Sequence, residues 1–519
     1  MTTHITLVFA LILLIVVVRA LFKQFFNPLN RFPGPRLARW TRYYMAYYDV
    51  FKGGAWIEHL QELHRLYGPV VRVAPNELHF GDPRAYGDIY STSSKFIKDL
   101  DMYGAFPFPE SVFVQTDPRQ LAARKALITP FFSKQAVLNQ IEGNIRSTVE
   151  KLTCQLAKNH SPGQIPANLN HALRSTTFDV ITTYCFATSP DAVSHPGFHS
   201  EVLIGMDTAL PYVPLAKHFR IVKVLIRKIP DWITPVLSAS LRAAVKQLGD
   251  VEAMAEKFLA NPDAADDSHR TIFHSLWEGT GTGERATKRG SHLVTKEWLA
   301  DESLFLRFAG SDTVSSTCVV GCRYILAEPT VLRELVEELD NAWPDKNVNL
   351  GIEVLEKLPY LTAVIKESLR LSHGVVSPMT RIISSGGAAI AGHFVPEGTS
   401  VAIANSFVHL NTDIFPEPGC FLPERWLQPG SQDLEKHLVA FGRGPRSCPG
   451  INLAWCEMYL IFGSIFRKLN LTLPLTFVHP GKQRTVLSLC TQKTFCKLAP
   501  KKGCNISTLV SSGSSQYLQ

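Results

Sequence analysis

The chain has 519 residues, of which 45% are hydrophobic and 19% are charged, so it has ample material for a large core. Its 53 basic and 45 acidic residues give a net charge of +8 that is spread along the chain. This is a weak indication of an acidic partner or a membrane surface, and it is not the footprint of a nucleic-acid-binding protein. The 10 cysteines show neither paired CxxC spacing nor the density of a disulfide scaffold, which favours a reducing compartment.

The amino-terminal segment is a candidate membrane anchor. Residues 5–18 form an apolar run broken only by one threonine, and with residues 20–22 they approach the roughly 20 residues that span a bilayer. A cleaved signal peptide is the alternative, because the run is short. However, Lys and Arg residues only follow the run, and no small-residue cleavage pattern comes after Phe22. We therefore predict an uncleaved anchor over residues 1–22, single-pass in the endoplasmic reticulum membrane, with the rest of the chain in the cytosol.

Composition divides the remainder of the chain into three parts. Residues 23–42 are basic and rich in proline, which predicts a rigid neck rather than a continued helix. No linker or internal repeat interrupts the following residues, so we predict one body over residues 43–500. Residues 501–519 are rich in serine and are predicted to be disordered. The glycine-rich stretch 279–290 lacks the strand and the Lys-Ser/Thr pair of a phosphate-binding loop, so an exposed loop is the better interpretation.

Helical periodicity dominates the body. The strand signals are few, and the best is a hairpin made of residues 70–74 and 77–80. Apolar residues recur at helical spacing over 120–132, 140–156, 298–327, 329–343, 358–371 and 453–469. The sequence therefore predicts a mainly α fold with small β-sheets. Cys318 and Cys322 could share one helix face, but without His or Cys partners they are better interpreted as small core residues than as zinc ligands.

The longest helical pattern runs from Thr295 to Ala327. A glycine inside a helix destabilises it by about 1 kcal/mol relative to alanine, which indicates that something flat or small approaches the backbone at Gly310. A threonine inside a helix can donate to the carbonyl four residues earlier, here from Thr313 to Ala309, and so bend the helix and open a pocket. The alternative interpretation is that these are merely small packing residues.

The strongest signal is the turn-rich stretch Phe441 to Gly450, which leads directly into a predicted helix. It places Cys448 at a helix amino terminus, where backbone N–H groups and the helix dipole favour the thiolate, the form that binds a metal. Gly444 and Gly450 let the backbone turn tightly against a flat ligand, and Arg446 can reach an acidic group on that ligand. The alternative is a buried structural cysteine in an ordinary loop.

This stretch resembles the heme-binding loop of the cytochrome P450 superfamily, whose pattern is F-x-x-G-x-R-x-C-x-G. The fixed positions are present as Phe441, Gly444, Arg446, Cys448 and Gly450. The resemblance covers nearly the whole chain and is to fungal microsomal members, similar to trichodiene oxygenases of secondary-metabolite pathways. It implies a cytochrome P450 fold preceded by one transmembrane helix, with heme b as the cofactor and Cys448 as the ligand of its iron.

Two further segments resemble family motifs. Residues 367–370 (ESLR) match E-x-x-R, and residues 423–426 (PERW) match P-E-R-F/W. Alone, Glu367 and Arg370 would be a commonplace solvated salt bridge on one helix turn. The resemblance implies instead that Glu367, Arg370 and Arg425 form a buried network that fixes the heme loop.

The segment 309–313 (AGSDT) resembles the family's oxygen-activating motif A/G-G-x-D/E-T. This implies that Asp312 relays protons from solvent and that Thr313 donates a hydrogen bond while oxygen is activated. The same resemblance places Arg381 where the family usually has an arginine that binds a heme propionate.

The region from residue 117 to residue 134 departs from the family pattern. Related fungal members often carry His-Arg and a double Arg there, whereas this chain has Leu121 and Ala122 followed by Arg124 and Lys125. The expected contact of a histidine with a propionate is therefore missing. We expect Arg124 or Lys125 to replace it.

The function that the resemblance implies is that of a heme-thiolate monooxygenase. It would activate O2 with electrons from NADPH, received through NADPH–cytochrome P450 reductase, and hydroxylate, epoxidise or further oxidise an apolar terpenoid, meroterpenoid or polyketide. The expected partners are that reductase, membrane lipid and the apolar substrate, and no nucleic acid. Two alternatives remain: a heme-thiolate enzyme that catalyses a rearrangement or dehydration without oxygenation, and a non-catalytic membrane-anchored heme binder.

Overall fold

The computed structural model describes residues 25–93, 96–160, 166–209, 211–219, 221–222, 238–262, 269–279 and 294–472, together with Leu11, Leu14, Ile15 and Val18. The predicted tail over residues 501–519, residues 280–290 of the glycine-rich stretch, and all but those four residues of the predicted anchor over residues 1–22 lie outside the described residues. Among the residues that the structure does describe, no helix is both long enough and apolar enough to span a membrane.

Helices make up most of the described chain, as predicted. In chain order they are α1 Arg36–Trp40, α2 Tyr43–Ala46, α3 Trp56–Tyr67, α4 Arg84–Tyr90, α5 Leu100–Tyr103, α6 Pro118–Ile128, α7 Lys134–Gln140, α8 Glu142–Asn159, α9 Leu169–Phe186, α10 Glu201–Ala209, α11 Tyr212–His218, α12 Ala239–Ala260, α13 Ile272–Gly279, α14 Lys296–Ala327, α15 Pro329–Ala342, α16 Ile352–Leu355, α17 Pro359–Ser372, α18 Asn405–His409, α19 Gln432–Glu435 and α20 Ile451–Lys468.

The six predicted helices are confirmed as α6, α8, α14, α15, α17 and α20, with shifted ends. The largest shift is at the carboxyl end of α6, which ends at Ile128, because Pro130 has no N–H with which to continue the hydrogen bonds of the helix. At its other end, Asp117 caps α6 by accepting from the backbone N–H groups of Arg119 and Gln120. Local cap chemistry therefore sets both ends of this helix.

The strands are short and form a small part of the fold. They are β1 Val70–Ala74, β2 Glu77–Phe80, β3 Ile97–Lys98, β4 Arg381–Ile382, β5 Ala388–Ile390, β6 His393–Val395 and β7 Ser400–Ala402. Within the described ranges, five of them form a sheet in the order β1-β2-β7-β4-β3, and β5 pairs with β6. The predicted hairpin is confirmed, since β1 and β2 pair antiparallel with Val70 opposite Phe80.

The largest hydrophobic cluster surrounds the long helix α14, which packs against α9, α12, α17 and α20. Cys318 and Cys322 are fully buried in this cluster, which confirms that they are core residues. No group of His, Cys, Asp and Glu in the described part of the chain could hold a metal ion.

The proline-rich segment packs onto the body. Leu29 and Phe32 are buried in the cluster that covers the sheet, and the backbone N–H of Arg72 in β1 donates to the carbonyl of Pro33 at 2.8 Å. Gly34 lies so close to the backbone of Arg72 that a Cβ there would overlap it. The segment predicted as a separate neck is therefore held against the first strand.

Candidate active site

An internal cavity of about 530 Å³ is lined by the middle of α14 and by the loop that precedes α20. From α14 the lining residues include Ala309, Gly310, Asp312 and Thr313, and from the loop they include Phe441, Arg446, Cys448 and Gly450. Most of the other lining side chains are aliphatic or aromatic, among them Phe106, Phe108, Phe113, Val213, Leu248, Leu304, Phe305 and Val375. The fold thus brings the two strongest sequence motifs to one largely apolar space.

The cysteine loop is shaped by its backbone. The N–H of Cys448 donates to the carbonyl of Phe441 at 2.9 Å, and the N–H of Ser447 donates to the carbonyl of Gly444 at 3.0 Å. Gly444 has φ +67°, and a Cβ there would overlap the backbone of Tyr90, so glycine is required for two reasons. The loop is therefore fixed both by its own turn and by its contact with α4.

Cys448 exposes its surface to the cavity, two residues before Gly450, which is the N-cap of α20. Burial raises the pKa of its thiol, while the backbone N–H of Gly450 and the ammonium of Lys125 act in the opposite direction. The predicted support of the thiolate by the helix start is therefore present but is outweighed by burial. A Cβ at residue 450 would stand 4.0 Å from the sulfur, so glycine leaves the space beside it free.

Three buried or half-buried cations gather near the cavity. Arg381 donates to the carbonyls of Thr380 at 3.0 Å and Met379 at 3.2 Å, and Arg446 donates to Gln115 at 3.4 Å. Lys98 donates to the carbonyls of Val112 and Phe113, and it lies over the rings of Tyr103 and Phe113.

None of these three cations pairs with a carboxylate in the part of the chain that the structure describes. Burial lowers the pKa of Lys98 well below its usual range and that of Arg446 to about 10, and the neighbouring positive charges add to both effects. An uncompensated cluster of this kind favours an anionic ligand. Sequence reasoning missed Lys98, because a single lysine in a two-residue strand carries no distinguishing pattern.

Arg124 and Lys125 are engaged outside the cavity wall. The Arg124 guanidinium pairs with Glu110 and lies over the ring of Trp298, with its central carbon 4.5 Å from the ring centroid. The Lys125 ammonium donates to the carbonyls of Pro445 and Ser447, at 2.9 Å each. The structure therefore places Lys125 as a clamp on the cysteine loop and Arg124 on the loop around Glu110, and neither lines the cavity.

Asp312 is completely buried and forms an ion pair with Arg174 of α9. Arg174 also pairs with Asp207 of α10, whose side chain is 49% exposed, so a chain of charged groups runs from the surface to α14. Burial raises the pKa of Asp312 to about 6, against the opposing effect of Arg174. No pattern in the sequence pointed to Arg174, since this residue lies on a different helix with no motif around it.

Thr313 makes the predicted bond, in which its hydroxyl donates to the carbonyl of Ala309 at 2.8 Å. One turn away, Thr177 of α9 donates its hydroxyl to the carbonyl of Ser311 at 2.6 Å. The backbone of α14 therefore accepts hydrogen bonds from side chains in the segment that lines the cavity.

The structure explains the glycine at residue 310 differently from the sequence prediction. A Cβ at this residue would overlap the side chain of Ile181 in α9, which is buried against it. The group that approaches this backbone is therefore the Ile181 side chain of the neighbouring helix α9. This contact sets the close packing of α9 on α14.

The predicted network around Glu367 is present, with Glu367 and Arg370 fully buried and the Arg425 side chain 7% exposed. Arg370 donates to the two carboxylate oxygens of Glu367 at 2.9 and 2.7 Å, and Arg425 Nε lies 3.2 Å from one of them. Trp426 adds its indole N–H at 2.9 Å. Arg370 also donates to the carbonyls of His409, Pro418 and Cys420, so the network ties α17 to the segments that lead to the cysteine loop.

Comparison with known proteins agrees with this fold and site. The family model for cytochrome P450 matches residues 33–497. The chain is 32% identical over 486 residues to cytochrome P450 monooxygenase flvC of Aspergillus flavus, covering 88% of each chain. It is 33% identical over 464 residues to macH of Penicillium terrestre, covering 88% of this chain and 89% of the relative. With aflU of Aspergillus parasiticus it shares 30% over 497 residues, covering 95% of each chain.

The chain belongs to the cytochrome P450 family. It is accordingly an enzyme, an oxidoreductase of the monooxygenase type like these relatives. The family implies a heme iron cofactor, and the residues present fit it. Cys448 opens its sulfur to the cavity, glycine at residue 450 leaves room beside it, and the cations have no carboxylate partner among the described residues.

Proposed function

We propose that this enzyme is a heme-thiolate monooxygenase that uses electrons from NADPH to hydroxylate, epoxidise or further oxidise an apolar secondary metabolite. The observation that carries the proposal is the single cavity that combines Cys448 with Asp312 and Thr313. A heme binder without oxygen chemistry has no need for a buried acid that lines this cavity. The presence of Asp312 there favours oxygenation over both alternative functions.

Cys448 would hold the heme iron, and Arg381, Arg446 and Lys98 would neutralise the two heme propionates. When bound, heme with a thiolate ligand supplies the activation of dioxygen. The protein contributes the position of the sulfur, which the Lys125 clamp and the turn at Gly444 hold in place. The residues on the α14 side of the cavity would then deliver protons and contact the substrate.

Asp312 and Thr313 would deliver protons at the α14 wall. Arg174, which also pairs with the half-exposed Asp207, would hold the Asp312 carboxylate in place, and the Asp312 pKa of about 6 allows this side chain to be protonated near neutral pH. Thr313 is next to it in the helix, and its hydroxyl, which donates to the carbonyl of Ala309, would turn to donate into the cavity. Both side chains act as positioned donors rather than as nucleophiles.

The substrate would be of terpenoid, meroterpenoid or polyketide type. The aromatic side chains of residues 103–113 support this, because Phe106, Phe108 and Phe113 line the cavity together with Phe305 and Phe308 of α14. Such a wall desolvates a carbon skeleton and offers few polar contacts.

The electron donor would be NADPH–cytochrome P450 reductase in the endoplasmic reticulum membrane. Of the basic residues near the cysteine loop, Lys436 exposes 71% of its side chain and could meet an acidic partner. Lys125 is bound to loop carbonyls and Arg124 to Glu110, so those two contribute less to a docking face than their charge predicts.

The test uses the full chain with heme and a purified reductase. We expect NADPH consumption to depend on oxygen, and an extract of apolar fungal metabolites to yield oxygenated products by mass spectrometry. Thr313→Ala should keep NADPH consumption but lose most of the product. Without the Thr313 hydroxyl, protons would no longer be delivered at a fixed position, and the electrons from NADPH would be spent without oxygenating the substrate. Product formed without oxygen would favour the rearrangement alternative, and unchanged coupling in Thr313→Ala would refute the proton-delivery role.

A further inference from the structure

Gln247 stands out on the helix α12 because it is polar in a position that faces inward. The buried residues of this helix are Gln247, Val251 and Ala255, spaced four apart along one stripe. Such a stripe normally carries apolar side chains that pack on neighbouring helices. A glutamine in it requires a hydrogen-bond partner that compensates for its removal from water.

The described part of the chain offers Gln247 no such partner. Gln247 is only 4% exposed, it lines the cavity, and its amide nitrogen Nε2 has no acceptor among the described residues. It is a neutral donor, unlike the acidic side chains of Asp312 and Glu457 in the same lining, and two other neutral polar groups there do have partners. Asn405 donates to the carbonyl of His373 at 2.8 Å, and Thr313 donates to Ala309.

The surroundings of Gln247 are apolar. Its neighbours in the wall are Ala244 and Leu248 on the same helix, and Leu248 packs in one cluster with Val213, Leu304 and Phe308. An isolated amide donor in an apolar wall fixes orientation, since a ligand without an acceptor leaves the donor unpaired.

We infer that Gln247 is a specificity-determining residue that donates a hydrogen bond from Nε2 to an oxygen already present on the substrate. The substrate is then an apolar skeleton that carries a carbonyl, ether or hydroxyl oxygen, and not a bare hydrocarbon. In a reaction sequence, a step that introduces or retains this oxygen must come before this enzyme. The inference rests on the proposed function, because it takes the cavity to be the substrate pocket.

The test compares two probes with the same skeleton, tetralin and 1-tetralone, of which only the ketone offers an acceptor and neither offers a donor. Their dissociation constants are measured by equilibrium dialysis against the purified, heme-loaded full chain and against Gln247→Met, which keeps the shape of the side chain. Lys246→Met is the matched control, because it introduces the same side chain on the exposed face of the same helix, outside the cavity lining. Thermal unfolding is recorded for each protein, with Gln247→Leu as a second variant.

The expected result is that the preference for the ketone over the hydrocarbon falls about tenfold in Gln247→Met and Gln247→Leu and is unchanged in Lys246→Met. Neither glutamine variant should unfold at a lower temperature, since removing an unpaired buried donor does not remove a structural bond. An unchanged preference, or no measurable binding of the ketone to the unsubstituted protein, would overturn the inference. Failure of the proposed function is a separate result, since it appears as absent oxygen-dependent NADPH consumption while the dialysis can still be read.

Discussion

At the scale of single residues, the site depends on ionisable groups whose pKa, and therefore whose protonation state, is changed by burial. Asp312 is fully buried, and Arg174, which also pairs with the half-exposed Asp207, holds its carboxylate in place. The pKa of Asp312 is raised to about 6, so both of its protonation states are accessible near neutral pH. An acid with that property can release a proton towards the cavity and take one up again.

The pH dependence of turnover tests this arrangement. Because the relay starts from the protonated acid, proton delivery should be fast below the Asp312 pKa and slow as the pH rises through about 6. We expect the rate of product formation to show that inflection, and Asp312→Asn to lose it together with about 100-fold in rate. The measurement is product formed per minute between pH 5 and pH 8 with saturating reductase.

A matched control is Asp433→Asn, which removes an exposed carboxylate paired with Lys436 and should leave the profile unchanged. An inflection that persists in Asp312→Asn would show that another group controls the step.

The sequence predicted the residues that belong to short linear motifs and missed those that meet only in space. Cys448, Thr313 and Glu367 stand in fixed patterns, and in the structure Cys448 and Thr313 line one cavity while Glu367 pairs with Arg370. Lys98 and Arg174 come from elements without any motif, and their roles follow from contacts made across the fold. The sequence singled out Lys125 as a candidate propionate contact because of its positive charge. Charge alone does not predict that its ammonium donates to carbonyls of the cysteine loop.

At the scale of elements, the crossing of α9 and α14 decides the shape of the cavity wall. Gly310 allows Ile181 to lie directly on the backbone of α14, and Thr177 bonds to the carbonyl of Ser311 beside it. The sequence predicted α14 from its periodicity, but it predicted neither α9 nor the contact between the two helices. Helix packing depends on residues far apart in the chain, which is why the reason for Gly310 had to come from the structure.

The contact between Gly310 and Ile181 can be tested with a double-mutant cycle. Gly310→Ala should destabilise the protein by about 1–3 kcal/mol, because the added methyl group overlaps the isoleucine in a packed core. Ile181→Ala alone should also destabilise it, by leaving a cavity. In the double variant the overlap is gone, so the loss should be smaller than the sum of the two.

The measurement is the free energy of unfolding by denaturant, with heme content recorded for each protein. Gly249→Ala on α12 is a control, because a Cβ there meets nothing within 4 Å. Additive effects of the two core substitutions would show that Gly310 is needed for something other than this packing.

At the scale of the whole molecule, the cavity lies where separate hydrophobic clusters meet. Its wall takes Tyr90 from the cluster on the sheet, Phe108 from the cluster around the loop after α5, and Leu453 from the large helical cluster. The mainly α class was predictable from periodicity alone. The position of the cavity between the clusters was not predictable, because it depends on how several elements are arranged in space.

The amino-terminal surface of the body supports the proposed membrane location. Trp40, Tyr43, Tyr47 and Phe51 are exposed, although they are large and apolar or amphipathic. Aromatic side chains of this kind favour the interface between lipid and water. The body would therefore contact the membrane even without the segment predicted as an anchor.

Vesicle sedimentation tests this expectation. The full chain should sediment with phosphatidylcholine vesicles, and a chain lacking residues 1–24 should still bind them, about tenfold or more weakly. Adding Trp40→Ser and Phe51→Ser to the shortened chain should release it into the supernatant. Exposed Val348→Ser, from the connection after α15, serves as the control. A shortened chain that does not bind vesicles at all would refute a lipid contact of the body.

The three carbonyls that accept from Arg370, and the two that accept from Lys125, have a consequence for how this enzyme can diversify. Carbonyl groups are common to all residues, so these clamps tolerate many substitutions in the segments they hold. The wall on the α12 side, in contrast, is built from side chains such as Gln247 and Leu248. Variation there changes which molecule is accepted while the cysteine loop keeps its shape, so selectivity can evolve independently of the reaction chemistry.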